Sequence, residues 1–192
     1  MPEANAAALE FLKTRRSQPA KTLASPAPDR AALTKLLTIA ARAPDHGKLE
    51  PWRFLVLEPQ ALQRLAGTLA AAGGRLRIEP ERVAKLKAQL GGSPLAVVVV
   101  GSPRPSEKIP KVEQMMSAGA VCMQLLNAAL SAGWGANWVT GWAVHDPEWR
   151  ERNLGLMPEE WVAGVVHIGT ARINAPDRPR PNLDQITEWI CA

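Results

Sequence analysis

The chain has 192 residues, 46% of them hydrophobic and 21% charged, and a net charge of +5. This length and balance are typical of one globular domain, expected at 1–192, and they exclude wholesale disorder. The longest uninterrupted apolar run covers residues 95–100, far too short for a membrane span. Two cysteines, Cys122 and Cys191, cannot form a disulfide framework, so we expect a cytoplasmic protein with no membrane partner.

The positive charge does not indicate a nucleic-acid partner. The arginines occur as scattered pairs, whereas a nucleic-acid surface needs a stripe of cations with aromatic residues between them or a known motif. Arginine is nevertheless more frequent than lysine, and its guanidinium fork binds phosphate and carboxylate groups bidentately. The composition therefore favours a site for a small anionic ligand.

Hydrophobic periodicity and capping residues predict an α+β fold with a mostly antiparallel or mixed sheet. We expect helices over 6–15, 29–42, 60–72, 81–90 and 111–132, and a short helix that begins at Asp146 and Pro147. Strands are expected over 53–58, 95–100, 136–139 and 161–168. The proline-containing segments 18–28 and 44–51 are predicted to be loops.

Three finer expectations concern helices. Glycine pairs at 73–74 and 91–92 are predicted to end two of them. Apolar residues surround most of the helix over 111–132, which predicts burial on all sides, at the centre of a domain or between subunits. The C-terminal segment 183–190 has an amphipathic pattern.

Several motifs resemble catalytic or metal sites but favour simpler explanations. The segment 133–138 begins like a dinucleotide-binding glycine motif, yet it follows a helix and precedes a strand, so it predicts a turn. The three histidines lack partners at metal-ligand spacing, and His167 is expected to be a hydrogen-bonded core residue. Cys122 lies among apolar helix residues, which makes a thiol nucleophile the less favoured alternative to packing.

Two polar segments are candidate binding elements. Arg15, Arg16 and Ser17 at a helix end could clamp a phosphate, although residue types alone favour a solvated cationic last turn. The segment 41–48, which contains Arg42 and His46, could be a binding loop or merely the turn that stops a helix. The residues alone leave these alternatives open.

The order of these segments resembles the compact nitroreductases. The matching motifs are Arg15-Arg16-Ser17, the segment 41–52 (ARAPDHGKLEPW), 112–119 (VEQMMSAG), 133–141 (GWGANWVTG) and Ile168-Gly169-Thr170. They occur in the family's order and spacing over residues 9–170, which makes the resemblance specific. It implies a central sheet flanked by helices, with the long helix buried at a dimer contact.

The resemblance also implies an FMN flavoprotein, a homodimer whose two sites are shared between the protomers. The family's cofactor contacts fall on Arg15, Arg16 and Ser17 for the phosphate and ribityl chain, on Arg42 and His46 from the partner protomer, and on Trp138, Val139 and Thr140 for the strand at the flavin edge. This chain departs from the family pattern at 18–20, so Lys21 is the candidate cation beside the flavin pyrimidine. Arg178 and Arg180 are interpreted as a charged tail rather than further phosphate contacts.

The implied activity is reduction of nitroaromatics, quinones or similar flat acceptors by NAD(P)H through ping-pong hydride transfer. The cofactor supplies that chemistry, so no side chain is expected to act as acid, base or nucleophile. The alternative from a different class is a carrier or sensor that binds FMN without turnover. A small flat acceptor is the expected partner in the first case only.

Overall fold

A computed structural model describes residues 3–191 of the chain. The helices are α1 (Ala6–Thr14), α2 (Arg30–Ala40), α3 (Pro59–Arg75), α4 (Pro80–Gly91), α5 (Lys111–Ser131) and α6 (Pro147–Leu154). The strands are β1 (Leu23–Ala24), β2 (Trp52–Leu57), β3 (Ala96–Gly101), β4 (Gly135–Val139) and β5 (Trp161–Ala171). None of the helices in this range is both long and apolar enough to cross a bilayer.

The five strands form one sheet around β5, and every pairing is antiparallel. Both β3 and β4 pair with the segment 165–167 of β5, so they lie on opposite sides of it. β2 pairs with β3 on the far side, and β1 pairs with the end of β5. The predicted α+β class is confirmed, with the sheet fully antiparallel rather than mixed.

Strand β3 is buried on both faces and divides the core into two clusters. Val98 and Val100 pack with α3, α4 and α6 on one face, while Val97 and Val99 pack with α2 and α5 on the other. Side chains of consecutive strand residues point to opposite faces, so a run of valines fills both clusters at once. This accounts for the uninterrupted apolar sequence, which is typical of a strand covered on both sides.

The predicted end of α3 is wrong, because the helix continues through Gly73 and Gly74 to Arg75. Gly73 is buried in the helix, and a Cβ added there would lie 2.5 Å from the Val83 side chain of α4. The glycine therefore serves close packing of the two helices rather than termination. The second glycine pair does lie at a helix end, since α4 stops at Gly91.

The structure adds detail to two further segments. The predicted loop 18–28 contains a 3₁₀ turn over 20–22 and the two-residue strand β1, which is too short to show a periodic pattern. The amphipathic segment 183–190 forms only a 3₁₀ turn, Leu183–Gln185, and its apolar side chains are exposed. An isolated short helix gains little without a surface to bury its apolar face, which explains the second difference.

The composition of helix α5 predicted burial on all sides, at the centre of a domain or between subunits. Within the single chain the helix is buried on one face only. One face packs on the sheet through residues such as Val121 and Leu125. The opposite side carries exposed apolar residues, of which Met115 is 47% and Met116 69% exposed. Burial at the centre of a domain is therefore excluded as the explanation of this helix's composition.

An ion pair between a half-buried arginine and a buried glutamate ties the start of β2 to the turn before β5. Arg53 donates from Nε and Nη2 to the two carboxylate oxygens of Glu160, both at 2.7 Å, and the Met157 N–H donates to the same carboxylate at 2.9 Å. Glu160 is 4% exposed. The hydrogen bonds from Arg53 are the main reason that the pKa of Glu160 falls to about 2.

We expect Glu160→Gln to lower the free energy of unfolding at pH 7 by roughly 3 kcal/mol at most. A carboxylate whose pKa is lower in the folded state stabilises the fold at pH values above its unfolded-state pKa. That stabilisation is lost as the pH falls toward the folded-state pKa. The gap between variant and wild type should therefore narrow below about pH 4.5. Urea unfolding between pH 7 and pH 3 measures this difference in the free energy of unfolding. Glu159→Gln, at an exposed neighbouring residue, is the control. A gap independent of pH would contradict the ionic origin.

Candidate functional site

The outer edge of β4 forms the floor of the candidate site. The Gln18 N–H donates to the Ala136 carbonyl at 2.8 Å, so Ala136 directs its backbone groups away from β5. In an antiparallel strand every second residue faces the same edge, so the N–H and C=O of Trp138 point outward too. Ala136 and Thr140 are four residues apart, roughly 13 Å along an extended chain. This edge suits an elongated ligand.

A cleft of about 340 Å³ opens at the Ala136 end of this edge. Residues from α1, the loop after it, the end of α5, the start of β4 and the C-terminal tail line it, including Phe11, Arg15, Arg16, Gln18, Trp134 and Asn174. The Phe11 and Trp134 rings supply apolar walls, and the arginines supply positive charge. The structure thus brings two of the predicted phosphate contacts into one concave site.

Arg15 carries positive charge that no carboxylate in residues 3–191 neutralises. Its Nη2 donates to the Ser17 hydroxyl at 3.1 Å, but its buried Nε has no hydrogen-bond partner within the described structure. The same is true of the buried Oε1 of Gln18. Burial, followed by the positive charges of Arg180 and Arg16, lowers the pKa of Arg15. An anion that also carries hydroxyl groups would satisfy both unpaired atoms.

Arg16 points toward the C-terminal tail. Its Nη1 lies 2.9 Å from an Asp177 carboxylate oxygen, and its Nη2 donates to the Pro176 carbonyl at 2.8 Å. Arg180 lies 3.8 Å from the same Asp177 carboxylate. The tail therefore returns to the end of α1 and brings Arg180 near Arg15, which the sequence pattern did not predict.

Trp138 contributes its backbone rather than its side chain to the β4 edge. Its indole lies over Gly164, where a Cβ would be 2.0 Å from the indole nitrogen, and that nitrogen is 3.4 Å from the Ala163 carbonyl. The neighbouring Val139 is half-buried, and Thr140 is exposed just after the strand. The three predicted flavin-edge residues thus continue the open edge away from the cleft.

The segment 44–51 is held against the first two turns of α5. Ser117 donates to the Pro44 carbonyl at 2.7 Å and accepts from the Trp52 indole at 3.2 Å. One turn earlier, Glu113 pairs with His46, with Oε2 and Nδ1 2.7 Å apart. Two helix residues four positions apart therefore contact this segment from the same side, Ser117 at its backbone and Glu113 at the His46 ring.

The loop backbone is unusually constrained. Gly47, Lys48 and Glu50 have φ values of 70°, 53° and 47°. A Cβ at Gly47 would lie 2.5 Å from the end of the Ile109 side chain, so both conformation and space favour glycine there. The Glu50 N–H donates to Asp45 at 2.8 Å. Such backbone conformations persist only where the surroundings fix them.

The predicted residues fall into two groups at opposite ends of α5. Leu130, near the C-terminal end of α5, lines the cleft with Arg15, whereas Glu113 holds His46 at the N-terminal end. Seventeen residues of helix separate these ends by roughly 25 Å. Arg42 lies exposed just beyond α2, on the His46 side. A single chain does not bring both groups to one small ligand.

Three other candidate residues do not line the cleft. Lys21 is exposed in the 20–22 turn and makes no ion pair within 3–191. Burial raises the pKa of the Cys122 thiol to about 12, which argues against a thiolate nucleophile. Burial also lowers the pKa of His167 to about 4, and its Nδ1 lies 2.8 Å from the Ser93 hydroxyl. His167 is therefore the hydrogen-bonded core residue that the sequence predicted.

Comparison with known proteins defines the class of the molecule. The model of the Nitroreductase family matches residues 12–170, so the chain belongs to the nitroreductase family. Over 185 residues it is 35% identical to the Escherichia coli (strain K12) protein named "Putative NAD(P)H nitroreductase YdjA", covering 91% of this chain and 96% of that protein.

Solved structures share the fold. A nitroreductase-like protein from Bacillus cereus aligns with a TM-score of 0.80 and 23% identity, covering 99% of this chain and 98% of the other. A variant of NfnB, an FMN and NADPH-dependent nitroreductase from sphigopyxis sp. strain HMH, aligns with a TM-score of 0.72 and 22% identity over 95% of this chain and 98% of the other. The nitroreductase fold expected from the motifs is confirmed.

Several residues that line the cleft were not among the predicted site residues. Gln18 appeared only as a departure from the family pattern, although its backbone pairs with β4 and its side chain is unpaired. Phe11 and Asn174 carried no distinguishing signal, because their place in the cleft depends on how α1 and the tail return to β4. Trp134 lies inside the glycine motif that was interpreted as a turn.

We expect Ser117→Ala to loosen the segment 44–52, because it removes the hydrogen-bond partner of the half-buried Trp52 indole N–H and of the Pro44 carbonyl. Losing such bonds costs roughly 1 kcal/mol or more. Hydrogen exchange followed by mass spectrometry should show at least about fivefold faster exchange in this segment and no change in β3. Ser131→Ala is the matched control, since that hydroxyl bonds only within its own helix. Equal exchange rates in both variants would show that Ser117 does not hold the segment 44–52 in place.

Proposed function

We propose that this protein is an FMN-dependent NAD(P)H oxidoreductase that reduces nitroaromatics, quinones or similar flat acceptors. One observation carries the proposal: Arg15 presents an unneutralised guanidinium, with a buried unpaired Nε, in a cleft that opens onto the free edge of β4. Family membership and the names of relatives support the same activity, since the YdjA relative is named "Putative NAD(P)H nitroreductase" and NfnB is an FMN and NADPH-dependent nitroreductase.

In this proposal the residues of the cleft hold the phosphate end of FMN. Arg15 and Ser17 contact the phosphate directly, and Arg16 and Arg180 add positive charge around it. Charge-assisted hydrogen bonds of this kind are shorter and stronger than neutral ones. The unpaired Oε1 of Gln18 accepts from a ribityl hydroxyl, which gives this buried acceptor the partner that it lacks.

The open edge of β4 orients the ring system. The outward N–H and C=O of Trp138, followed by Val139 and Thr140, are spaced to meet the polar edge of a flat heterocycle. Lys21 is the proposed cation near the pyrimidine. When bound, FMN would supply the redox chemistry that links NAD(P)H to the acceptor. The protein side chains bind, orient and stabilise charge, and none acts as acid, base or nucleophile.

We further propose that the molecule works as a cytoplasmic homodimer of one FMN-binding domain per chain. Arg42 and His46 lie roughly 25 Å along α5 from the cleft, too far to reach a ligand that Arg15 holds in the same chain. They can serve the cofactor held mainly by the partner protomer. The exposed Met115 and Met116 of α5 provide an apolar surface whose burial would stabilise such a dimer.

The proposal is tested by adding FMN to the purified chain and then NAD(P)H with an acceptor. Flavin absorbance should remain with the protein and bleach on NAD(P)H addition, and an added quinone should restore it. Binding without acceptor-dependent NAD(P)H consumption would instead favour the carrier or sensor. No FMN binding at saturating concentration would contradict both functions.

Arg15→Ala is expected to weaken FMN binding by about ten- to a hundredfold, because one buried charge-assisted hydrogen bond contributes roughly 1.5–3 kcal/mol. Arg104→Ala removes an exposed guanidinium outside the cleft and should leave affinity unchanged. Fluorescence quenching of FMN measures both dissociation constants. Equal effects of the two substitutions would mean that the phosphate binds elsewhere.

The shared site predicts complementation between two defective chains. Mixing an Arg15→Ala chain with an Arg42→Ala chain should produce heterodimers in which one site carries both defects and the other carries neither. Part of the FMN binding should then return, at most about one intact site in each heterodimer. Subunit exchange is followed with differently tagged chains. Demonstrated exchange without recovered binding would contradict the shared site.

A further inference from the structure

The ion pair between Glu113 and His46 constrains the imidazole ring more than its exposed position suggests. Glu113 Oε2 lies 2.7 Å from His46 Nδ1, while the two side chains are 45% and 64% exposed. Glu113 is in the first turn of α5, and His46 is in the constrained loop described above. Within residues 3–191, Glu113 is the group that hydrogen-bonds this ring.

The chemistry of the two groups determines which nitrogen carries the proton. An ionised carboxylate only accepts hydrogen bonds, so the Nδ1 atom that faces Glu113 must be the donor. Nε2 is on the other side of the ring and, in the neutral ring, carries no proton, so it can accept a hydrogen bond from a ligand. A hydrogen bond at one ring nitrogen thus sets the role of the other.

We infer that Glu113 is a positioning residue, which fixes the proton of His46 on Nδ1 and so presents Nε2 to the cofactor bound by the partner protomer. This inference rests on the proposed function, in which His46 reaches that cofactor. Glu113 itself touches no ligand in this scheme. Its contribution is to hold one ring orientation and one tautomer before the ligand arrives, which reduces the ordering cost of binding.

The surrounding loop supports this role because its backbone is already fixed without Glu113. Ser117 holds the Pro44 carbonyl, Asp45 accepts from Glu50, and Gly47 fits against Ile109. These contacts set where the Cα of His46 lies, but they leave the ring free to rotate. Glu113 adds the constraint on the ring, so removing it should alter the imidazole while the loop stays in place.

A purely structural role for Glu113 makes a different prediction. A negative charge in the first turn of a helix stabilises the helix dipole, so loss of Glu113 could act through α5 alone. That effect would lower thermal stability and would not depend on His46. The experiment must therefore read out the imidazole itself and test whether the two residues act together.

The first measurement is the tautomer of His46 in the FMN-free chain by ¹⁵N NMR at alkaline pH, assigned with His46→Ala. We expect the proton on Nδ1 in the wild type. In Glu113→Ala it should move toward Nε2, the form that free histidine prefers. Glu107→Ala is the matched control, because it removes the same charge from an exposed residue just before α5. An unchanged tautomer in Glu113→Ala would overturn the inference.

The second measurement is FMN affinity in a double-mutant cycle. We expect Glu113→Ala to weaken binding roughly two- to fivefold, a range suited to an exposed pair. In the His46→Ala background the same substitution should have no further effect. Glu107→Ala should bind like the wild type. Equal losses from Glu113→Ala with and without His46 would assign Glu113 to helix stability and overturn the positioning role.

The two measurements separate failure of the inference from failure of the proposed function. If the wild type does not bind FMN, the proposed function is wrong whatever the NMR result. If it binds FMN but carries the His46 proton on Nε2, the positioning role alone is wrong. A tautomer that depends on Glu113, together with affinity that depends on both residues, supports the inference.

Discussion

The site depends on the pairing of β5 with strands on both of its sides. β3 and β4 pair with the same segment of β5, and no strand in residues 3–191 pairs with the far side of β4, so β4 forms one edge of the sheet and β2 the other. Its outward backbone groups have to meet water or another partner, since buried polar groups without partners are costly. Gln18 occupies one of these positions, at Ala136, and the remainder of the edge is available to a ligand. If β4 were paired with strands on both of its sides, it would have no free edge to offer a ligand.

The positive charge of Arg15, at the Ala136 end of this edge, couples ligand binding to the stability of the fold. Arg15 is half-buried, has no carboxylate partner in the described residues, and lies near two other arginines. Asp177 pairs with Arg16 and Arg180 but not with Arg15, so the repulsion that these two arginines exert on Arg15 in a partly dry cleft opposes folding. A phosphate bound there would relieve this repulsion, so the cofactor would stabilise the folded chain as well as supply its chemistry.

Local sequence patterns predicted the elements that local interactions determine. The helix around Leu33, the valine strand and the long α5 follow from periodicity and capping residues. The predictions failed where a distant contact decides the outcome. Gly73 stays inside a helix because Val83 packs on it, and Asn174 reaches the cleft only because Arg16 anchors the tail through Asp177. No window of neighbouring residues contains those contacts.

Helix α5 relates the two halves of the candidate site, because its opposite ends fix different parts. Leu130 borders the cleft at one end, while Glu113 and Ser117 hold the His46 loop at the other. A rigid helix keeps these parts roughly 25 Å apart, so neither can be moved toward the other within a chain. Two copies packed through the exposed methionine side of α5 could bring the loop of one chain to the cleft of the next. In such an assembly the apolar contact that forms the dimer is also what completes the site, so affinity for the cofactor and affinity between subunits must rise and fall together.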